Sequence, residues 1–447
     1  MKKYVLCIVF IFSWVLSFSQ YIEGKVLDAT TNEPIENVHV YIDNINGGAT
    51  TNTKGSYYLK FSASKIKTST IHFSHIKYQN LVIPFNSKKK NYSVYLIEDL
   101  KKLSEIEIIE KRNLKPRIKY KKLASMKKGV HSFGSFLKNN KIYVIGGDAS
   151  FEEDAYKKWM DYEQEISFSE LLRKGYYYYK ENFKGDLTIY DIKTNTWEVE
   201  KDKFSDRAYH NANYYNNKIY VIGGKKIARN GKFEYLKGEI EVFDSKNNTI
   251  KIDNTNPHQA IDFASFTYKD NIIVMGGSIK LKRNGFKEYT NKVHLYNIKS
   301  GYWYQLDSMP FSKEVNGVLI KDKIYLIGGF NKKPLNELET FDLVTLKWEK
   351  EGDLFYGISR PAITFKNNII YFFDDGKIST YNILTKELNE YLIDLSLKAS
   401  KLYYANSKLY ILGGFNKNNY SVTPSSALYS IDINEFYKTK IYKSKTL

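Results

Sequence analysis

The sequence predicts an all-β chain in two parts, a small β unit followed by a longer array of repeated β units. Two observations carry this. An apolar run ended by two glycines returns along the chain: Ile142-Tyr143-Val144-Ile145-Gly146-Gly147, Ile219-Tyr220-Val221-Ile222-Gly223-Gly224, Ile272-Ile273-Val274-Met275-Gly276-Gly277, Ile324-Tyr325-Leu326-Ile327-Gly328-Gly329 and Leu409-Tyr410-Ile411-Leu412-Gly413-Gly414. A worn copy, Ile370-Tyr371-Phe372-Phe373-Asp374-Asp375, stands between the last two. Four apolar residues in a row suit a strand buried on both faces, and recurrence with glycine stops argues against buried helix. The second observation is a partner phrase after each first one. An aromatic residue and then Asp or Asn is followed, seven positions after the start, by a large apolar residue. The copies are Tyr190-Asp191 with Trp197, Phe243-Asp244 with Ile250, Tyr296-Asn297 with Trp303, Phe341-Asp342 with Trp348 and Tyr381-Asn382 with Leu388. Turn-forming residues fill the gap, so the phrase reads as strand, tight turn, strand, with the Asp or Asn accepting backbone N–H bonds.

Together the two phrases resemble the kelch family over about Ile118 to Tyr442. The resemblance implies a six-bladed β-propeller of four-stranded blades. Burial gives the physical reason: a blade has two apolar faces and hides both only by stacking in a ring. The expected propeller spans 118–447, with blades at about 127–204, 205–256, 257–310, 311–355, 356–396 and 397–447. The sixth copy, Ile431-Asp432, has Lys438 where a large apolar residue is expected. Tyr120-Lys121-Lys122-Leu123-Ala124-Ser125-Met126 is in register with Trp303-Tyr304-Gln305-Leu306-Asp307-Ser308-Met309. Residues 118–124 are therefore expected to close the last blade as its outer strand, with Lys438–Tyr442 as the competing placement.

Ahead of the array, residues 1–19 read as a secretory signal peptide: Lys2 and Lys3, an apolar core from Tyr4 to Leu16, and Ser17 and Ser19 at a small-x-small cleavage site. Its loss removes Cys7, the sole cysteine, so the mature chain has no disulfide and no thiol. No transmembrane segment is expected afterwards. Residues 20–109 read as a separate β-sandwich with turn clusters at Asp28-Ala29-Thr30-Thr31-Asn32 and Asn46-Gly47-Gly48. Gly24-Lys25-Val26-Leu27-Asp28, Pro34-Ile35-Glu36-Asn37-Val38 and Thr51-Asn52-Thr53-Lys54-Gly55-Ser56-Tyr57 make this stretch similar to the carboxypeptidase regulatory-like domain, and Leu103–Ile108 is similar to that family's last strand. The resemblance implies a non-catalytic spacer or docking module of the envelope. Residues 110–117 read as a charged linker.

The formal net charge is +19. The lysines are scattered over turns in a chain poor in arginine, which reads as compositional bias and not as a nucleic-acid surface. No G-x-S-x-G, H-E-x-x-H, Cys/His pair or phosphate loop is present, so no catalytic residue, metal or cofactor is expected. Ligands of such rings are expected at the funnel and the loops on one face. Blade one carries a long insertion, Asp148 to Lys184, acidic and aromatic, whose Trp159, Tyr162 and Tyr177 are candidates for partner contact. Blades two and three carry Asn230-Gly231 and Asn284-Gly285, expected as protruding hairpin turns. Where the chain enters the inner strands, Asp206, Arg207, Tyr209, His210, His258, Asp262, Glu314, Asn316 and Arg360 are candidate ligand-binding residues for a sugar or carboxylate. The expected function is an exported binding or scaffold protein for a protein or glycan partner of the cell envelope, in the periplasm or outside the cell. Some kelch propellers are copper radical oxidases, which need a cysteine absent here. Others are sialic acid epimerases (mutarotases), which need only acid/base groups and an arginine, so this enzyme class is the alternative.

Overall fold

In the computed structural model the chain divides into two compact units, Met1–Arg112 and Asn113–Leu447. The structure describes residues 19–43, 47–62, 69–86, 88–99, 114–161, 167, 169, 178–180, 182–227, 234–281 and 287–447. Residues 1–18 of the expected signal peptide, Leu103–Ile108 and residues 110–113 of the linker lie outside these residues.

The first unit is a two-sheet sandwich. One sheet orders Ser56–Ser62, Ser19–Asp28 and Val94–Leu96; the other orders Gly48–Thr50, His39–Ile42, Thr70–His75 and Tyr78–Pro84. Alternation makes the core: Val40 and Ile42 on one strand and Ile71 and Phe73 on its neighbour face Ile22, Tyr57 and Leu59. Thr51 Oγ1 closes the turn by accepting from Val38 N at 2.8 Å and donating to Ile35 O at 2.7 Å.

The second unit is a ring of six four-stranded sheets. Blade one orders Gly134–Lys138, Lys141–Asp148, Phe183–Asp191 and Thr196–Glu200 from the axis outward. Blades two to five repeat this, with inner strands Asn211–Tyr215, Ala264–Tyr268, Gly317–Ile320 and Ala362–Lys366. Each glycine phrase is the second strand of its blade. Its apolar residues face both neighbouring blades: Tyr220, Ile222 and Ile240 of blade two join Phe263, Ile272 and Val274 of blade three in one cluster. The partner phrase is the outer hairpin. Tyr190 pairs with Trp197, Tyr296 with Trp303 and Phe341 with Trp348, with ring centroids 4.9, 4.9 and 4.6 Å apart. The Asp or Asn closes the turn, as where Asp342 Oδ1 accepts from Val344 N and Thr345 N at 2.9 and 2.8 Å.

The glycine pairs let blades approach each other. A Cβ on Gly223 would come within 2.6 Å of the Phe263 ring of the next blade, and one on Gly413 equally close to Phe133. Both glycines sit at φ near +60°, a conformation that also disfavours a side chain. Blade five lacks the pair. There the second strand runs through Asp374 and turns at Asp375-Gly376 straight into Lys377.

Blade six takes its first three strands from Lys401–Ala405, Lys408–Leu412 and Leu428–Asp432, and its outer strand is Lys121–Lys122, paired with Tyr429 and Ser430. Leu123 N and Met126 N continue this seam onto Leu428 O and Ser426 O at 2.8 and 2.9 Å. The chain after Asp432 goes elsewhere. Ile433–Lys438 is a 3-10 turn, and Lys443–Thr446 adds a fifth strand to the outer edge of blade five. The Tyr403 hydroxyl of blade six donates to Ser135 Oγ of blade one, so polar contacts as well as the cluster of Phe133, Ile142, Tyr410 and Leu412 close the ring.

Candidate functional site

The six inner strands begin around a common opening. Their lead-in residues are Ser132, Tyr209, Asp262, Val315, Arg360 and Ala399. Four of them, Ser132, Tyr209, Asp262 and Ala399, hold φ between 50° and 62°. A belt of backbone hydrogen bonds joins successive blades here: Tyr209 N to Ser132 O at 2.6 Å, Asp262 N to Tyr209 O at 3.4 Å and Val315 N to Asp262 O at 3.1 Å. Side chains from every blade therefore reach one funnel, lined among others by Tyr209, His210, Asp262, Arg360, Ser400 and Lys401.

Arg360 and Asp262 face each other across this floor, from blades five and three, with Nη1 3.5 Å from Oδ1. Neither Arg360 Nη1 nor Asp262 Oδ2 has a hydrogen-bond partner, although both atoms are buried. The Arg360 side chain as a whole remains 34% exposed. Lys287 Nζ stands 3.9 Å from Asp262 and is itself bonded to Glu314 at 2.5 Å. Buried Glu314 also accepts from Ser278 Oγ, and burial, then the nearby Asp262, pushes its carboxyl above the usual range. On the other side the Tyr209 hydroxyl donates to Asp148 at 3.0 Å, and Asp148 lies 3.7 Å from His131 Nε2. Burial brings His131 down to about 4 despite that carboxylate, so this imidazole is neutral at physiological pH. Lys225 stacks over the Tyr209 ring at 4.5 Å and pairs with Glu234 of the blade-two hairpin.

Of the residues singled out by sequence, Tyr209, His210, Asp262, Asn316 and Arg360 line the funnel. Glu314 lies beside it, linked through Lys287. Asn316 is tied into the scaffold, donating to Pro361 O at 2.8 Å. His210 accepts from Gly134 N at 3.1 Å and is kept neutral by complete burial. Arg207 is 0% exposed, and its guanidinium is held inside blade two by Glu241 and the carbonyls of Val221, Gly223 and Glu239. Asp206, one residue before, is exposed and outside the funnel lining. His258 sits inside blade three, its Nδ1 2.9 Å from His294 Nδ1 and its Nε2 2.8 Å from Gly276 O. Trp159 lies on the helix Ala155–Asp161, whereas Tyr162 and Tyr177 lie outside the described residues.

Ser132, His131, Asp148 and Lys401 were not singled out. The repeat register is a signal that finds Ser132: lead-in residues stand fourteen positions ahead of the first glycine (132 and 146, 209 and 223, 262 and 276, 399 and 413).

Strands added beyond the blades raise the surroundings of the opening. Phe151–Glu153 and Tyr178–Lys180 of the blade-one insertion join Ser421–Pro424 and Phe415–Lys417 of blade six in one four-stranded sheet. Lys225–Ile227 pairs with Glu234–Leu236, and Ser278–Leu281 with Lys287–Tyr289, as the two expected hairpins. In blade four, Lys323–Asn331 and Lys333–Asp342 extend as one long hairpin. Among the described residues no group of three or more His, Cys, Asp or Glu is placed to hold a metal ion. Among them, too, no helix is long and apolar enough to cross a membrane.

Comparison with known proteins matches residues 172–373 to the KLHDC2/KLHL20/DRC7 kelch-repeats domain and residues 22–108 to the CarboxypepD_reg-like domain. Human Kelch-like protein 15 is 26% identical over 182 residues, covering 36% of this chain and 29% of its own length. Kelch-like protein 40 of Xenopus tropicalis is 24% identical, covering 44% and 32%. Kelch repeat protein M-T8 of Myxoma virus is 24% identical, covering 36% and 30%. The chain thus spans less than a third of each of these relatives. The solved structure of YjhT superposes with a TM-score of 0.50 at 13% identity, covering 69% of this chain and 99% of that one, and so shares its fold. The chain carries a kelch-repeat β-propeller behind an N-terminal carboxypeptidase regulatory-like domain.

Proposed function

We propose that this is an exported, non-catalytic binding or scaffold protein that grips a protein or glycan partner of the cell envelope with the loops on the glycine-pair face. The observation that supports it best is the Arg360–Asp262 floor, whose buried Nη1 and Oδ2 make no hydrogen bond and open into a funnel among added strands. A buried polar atom left without a partner costs about 1–3 kcal/mol, which a ligand's polar group recovers on binding. The other titratable groups offer little for proton transfer. His131 and His210 are neutral and enclosed, and Glu314 is held by Lys287 and Ser278. Export rests on residues 1–19. The test is retention of glycans on an array and of proteins from an envelope extract, comparing the full chain with Arg360→Gln. Loss of a specific retained partner in the variant, at unchanged melting temperature, is expected; equal retention by both sinks the reading.

A second reading, a sialic acid epimerase, is favoured by one observation: an arginine whose Nη1 makes no hydrogen bond lies near the raised-pKa acid Glu314. Anomeric exchange of N-acetylneuraminic acid, followed by NMR, tests it. Exchange that Glu314→Gln abolishes would replace the binding reading.

A further inference from the structure

Lys401 opens the inner strand of blade six and lines the funnel together with Arg360, Asp262 and Ser400. Other lysines of this face have partners: Lys225 has Glu234, Lys237 has Glu239, Lys287 has Glu314, Lys313 has Glu339 and Lys398 has Asp375. The Lys401 side chain makes no hydrogen bond and no ion pair among the described residues. Its surroundings hold one carboxylate, Asp262, which stands against Arg360 and makes no bond to Lys401. Arg360 shares the cavity, and His210, whose own proton affinity Lys401 lowers, stands beside it without charge.

An ammonium removed from water without a counter-ion loses proton affinity. Burial lowers the pKa of Lys401, with Asp262 opposing only in part. A free amine in a cavity is a nucleophile towards carbonyl carbon, and desolvated lysines serve as Schiff-base formers for that reason. Lys401 and Arg360 line the same concave opening, where polar groups from several blades converge. Arg360 Nη1, which makes no hydrogen bond and stands 3.5 Å from Asp262 Oδ1, supplies a cationic seat for an anionic group in the same space.

We propose that Lys401 is a covalent capture site for a small anionic aldehyde, whose anionic group rests on Arg360 while its carbonyl carbon condenses with the lysine amine. The nitrogen lone pair forms the C–N bond as the carbonyl π pair moves to oxygen, which takes a proton to give a carbinolamine. That hydroxyl then leaves as water, carrying one proton from nitrogen, and the imine remains. No oxidant or reductant is needed, and the adduct reverses by hydrolysis. This inference shares Arg360 with the partner-binding reading, and Lys401 is the residue particular to it.

The test uses the full chain and pyridoxal 5′-phosphate as the anionic aldehyde, with borohydride reduction and peptide mapping. Lys401 is expected to carry the dominant adduct at concentrations at least ~10-fold below those that label exposed lysines such as Lys417. Lys401→Arg removes that adduct, Arg360→Gln raises the concentration needed about 10-fold, and excess inorganic phosphate competes. Labelling of Lys401 no faster than Lys417 overturns the proposal. So does labelling that neither Arg360→Gln nor phosphate weakens, since the anion seat would then be absent. The mapping of the unaltered chain decides the matter even if a variant fails to fold. Partner retention by the unaltered chain is read separately from Lys401 labelling, which separates failure here from failure of the binding reading.

Discussion

Arg207 and Arg360 are the same residue type placed near the start of two inner strands, and their surroundings give them opposite roles. Arg207 is sealed in blade two against Glu241. Replacing it with Ala leaves Glu241 buried without a counter-charge, which is expected to cost about 3–5 kcal/mol by chemical denaturation. Arg360→Gln should change stability by under ~1 kcal/mol, since its guanidinium has a loose partner and one unfilled donor. A second expectation concerns His258. Burial lowers its pKa from 6.5 to about 4, so the folded chain resists a proton that the unfolded chain accepts. Its stabilising contribution is whole above about pH 6.5 and fades as pH falls towards 4. Denaturation at pH 7.5 and 5.0 should differ by about 2 kcal/mol from this group alone, and His258→Gln should shrink the difference. The sequence disclosed Tyr209, Asp262 and Arg360 because each is a polar residue where the chain enters an inner strand. It grouped Arg207 and His258 with them wrongly as funnel residues, because a one- or few-residue offset at a sharp bend turns a side chain from the opening into the blade. Lys401 escaped notice because it heads an ordinary strand.

At the scale of elements, ring closure rests on short segments. Lys121–Lys122, with Leu123 N, completes the hydrogen bonding of the outer edge of Leu428–Asp432. A chain starting at Ser125 is expected to melt several degrees below one starting at Leu114, in a thermal scan of the isolated ring, because it leaves blade six with an open edge. The repeat made this strand legible through the match of Tyr120–Met126 to Trp303–Met309. The final strand was not legible. Lys443–Thr446 has no repeat counterpart and pairs with Glu387–Glu390 of a blade already complete. Removing residues 443–447 should bare that edge and raise light scattering on concentration, with loss of the Lys377, Lys443 and Tyr356 stack as a further cost. If the truncated chain stays as monodisperse as the full one, the fifth strand does not protect the edge.

At the scale of the whole molecule, the two units keep separate cores, Ile22 to Leu96 in one and six inter-blade clusters in the other. Calorimetry of the full chain should therefore show two transitions, one of which disappears when residues 1–113 are removed; a single unaltered transition would contradict independent folding. The ring itself is uneven. Blades six and one share an added sheet, blades two and three carry hairpins, and blade four has a long hairpin, while blade five turns back within Asp374-Asp375-Gly376. That turn is a gap in a parapet. Any ligand longer than the funnel, with its tip at Arg360 on this same blade, has a low sill to cross there, past Asp375 and Lys398. The worn repeat is thus a doorway, and filling it with a Gly-Gly hairpin copied from blade three would shut out long ligands while leaving small ones free to enter from above.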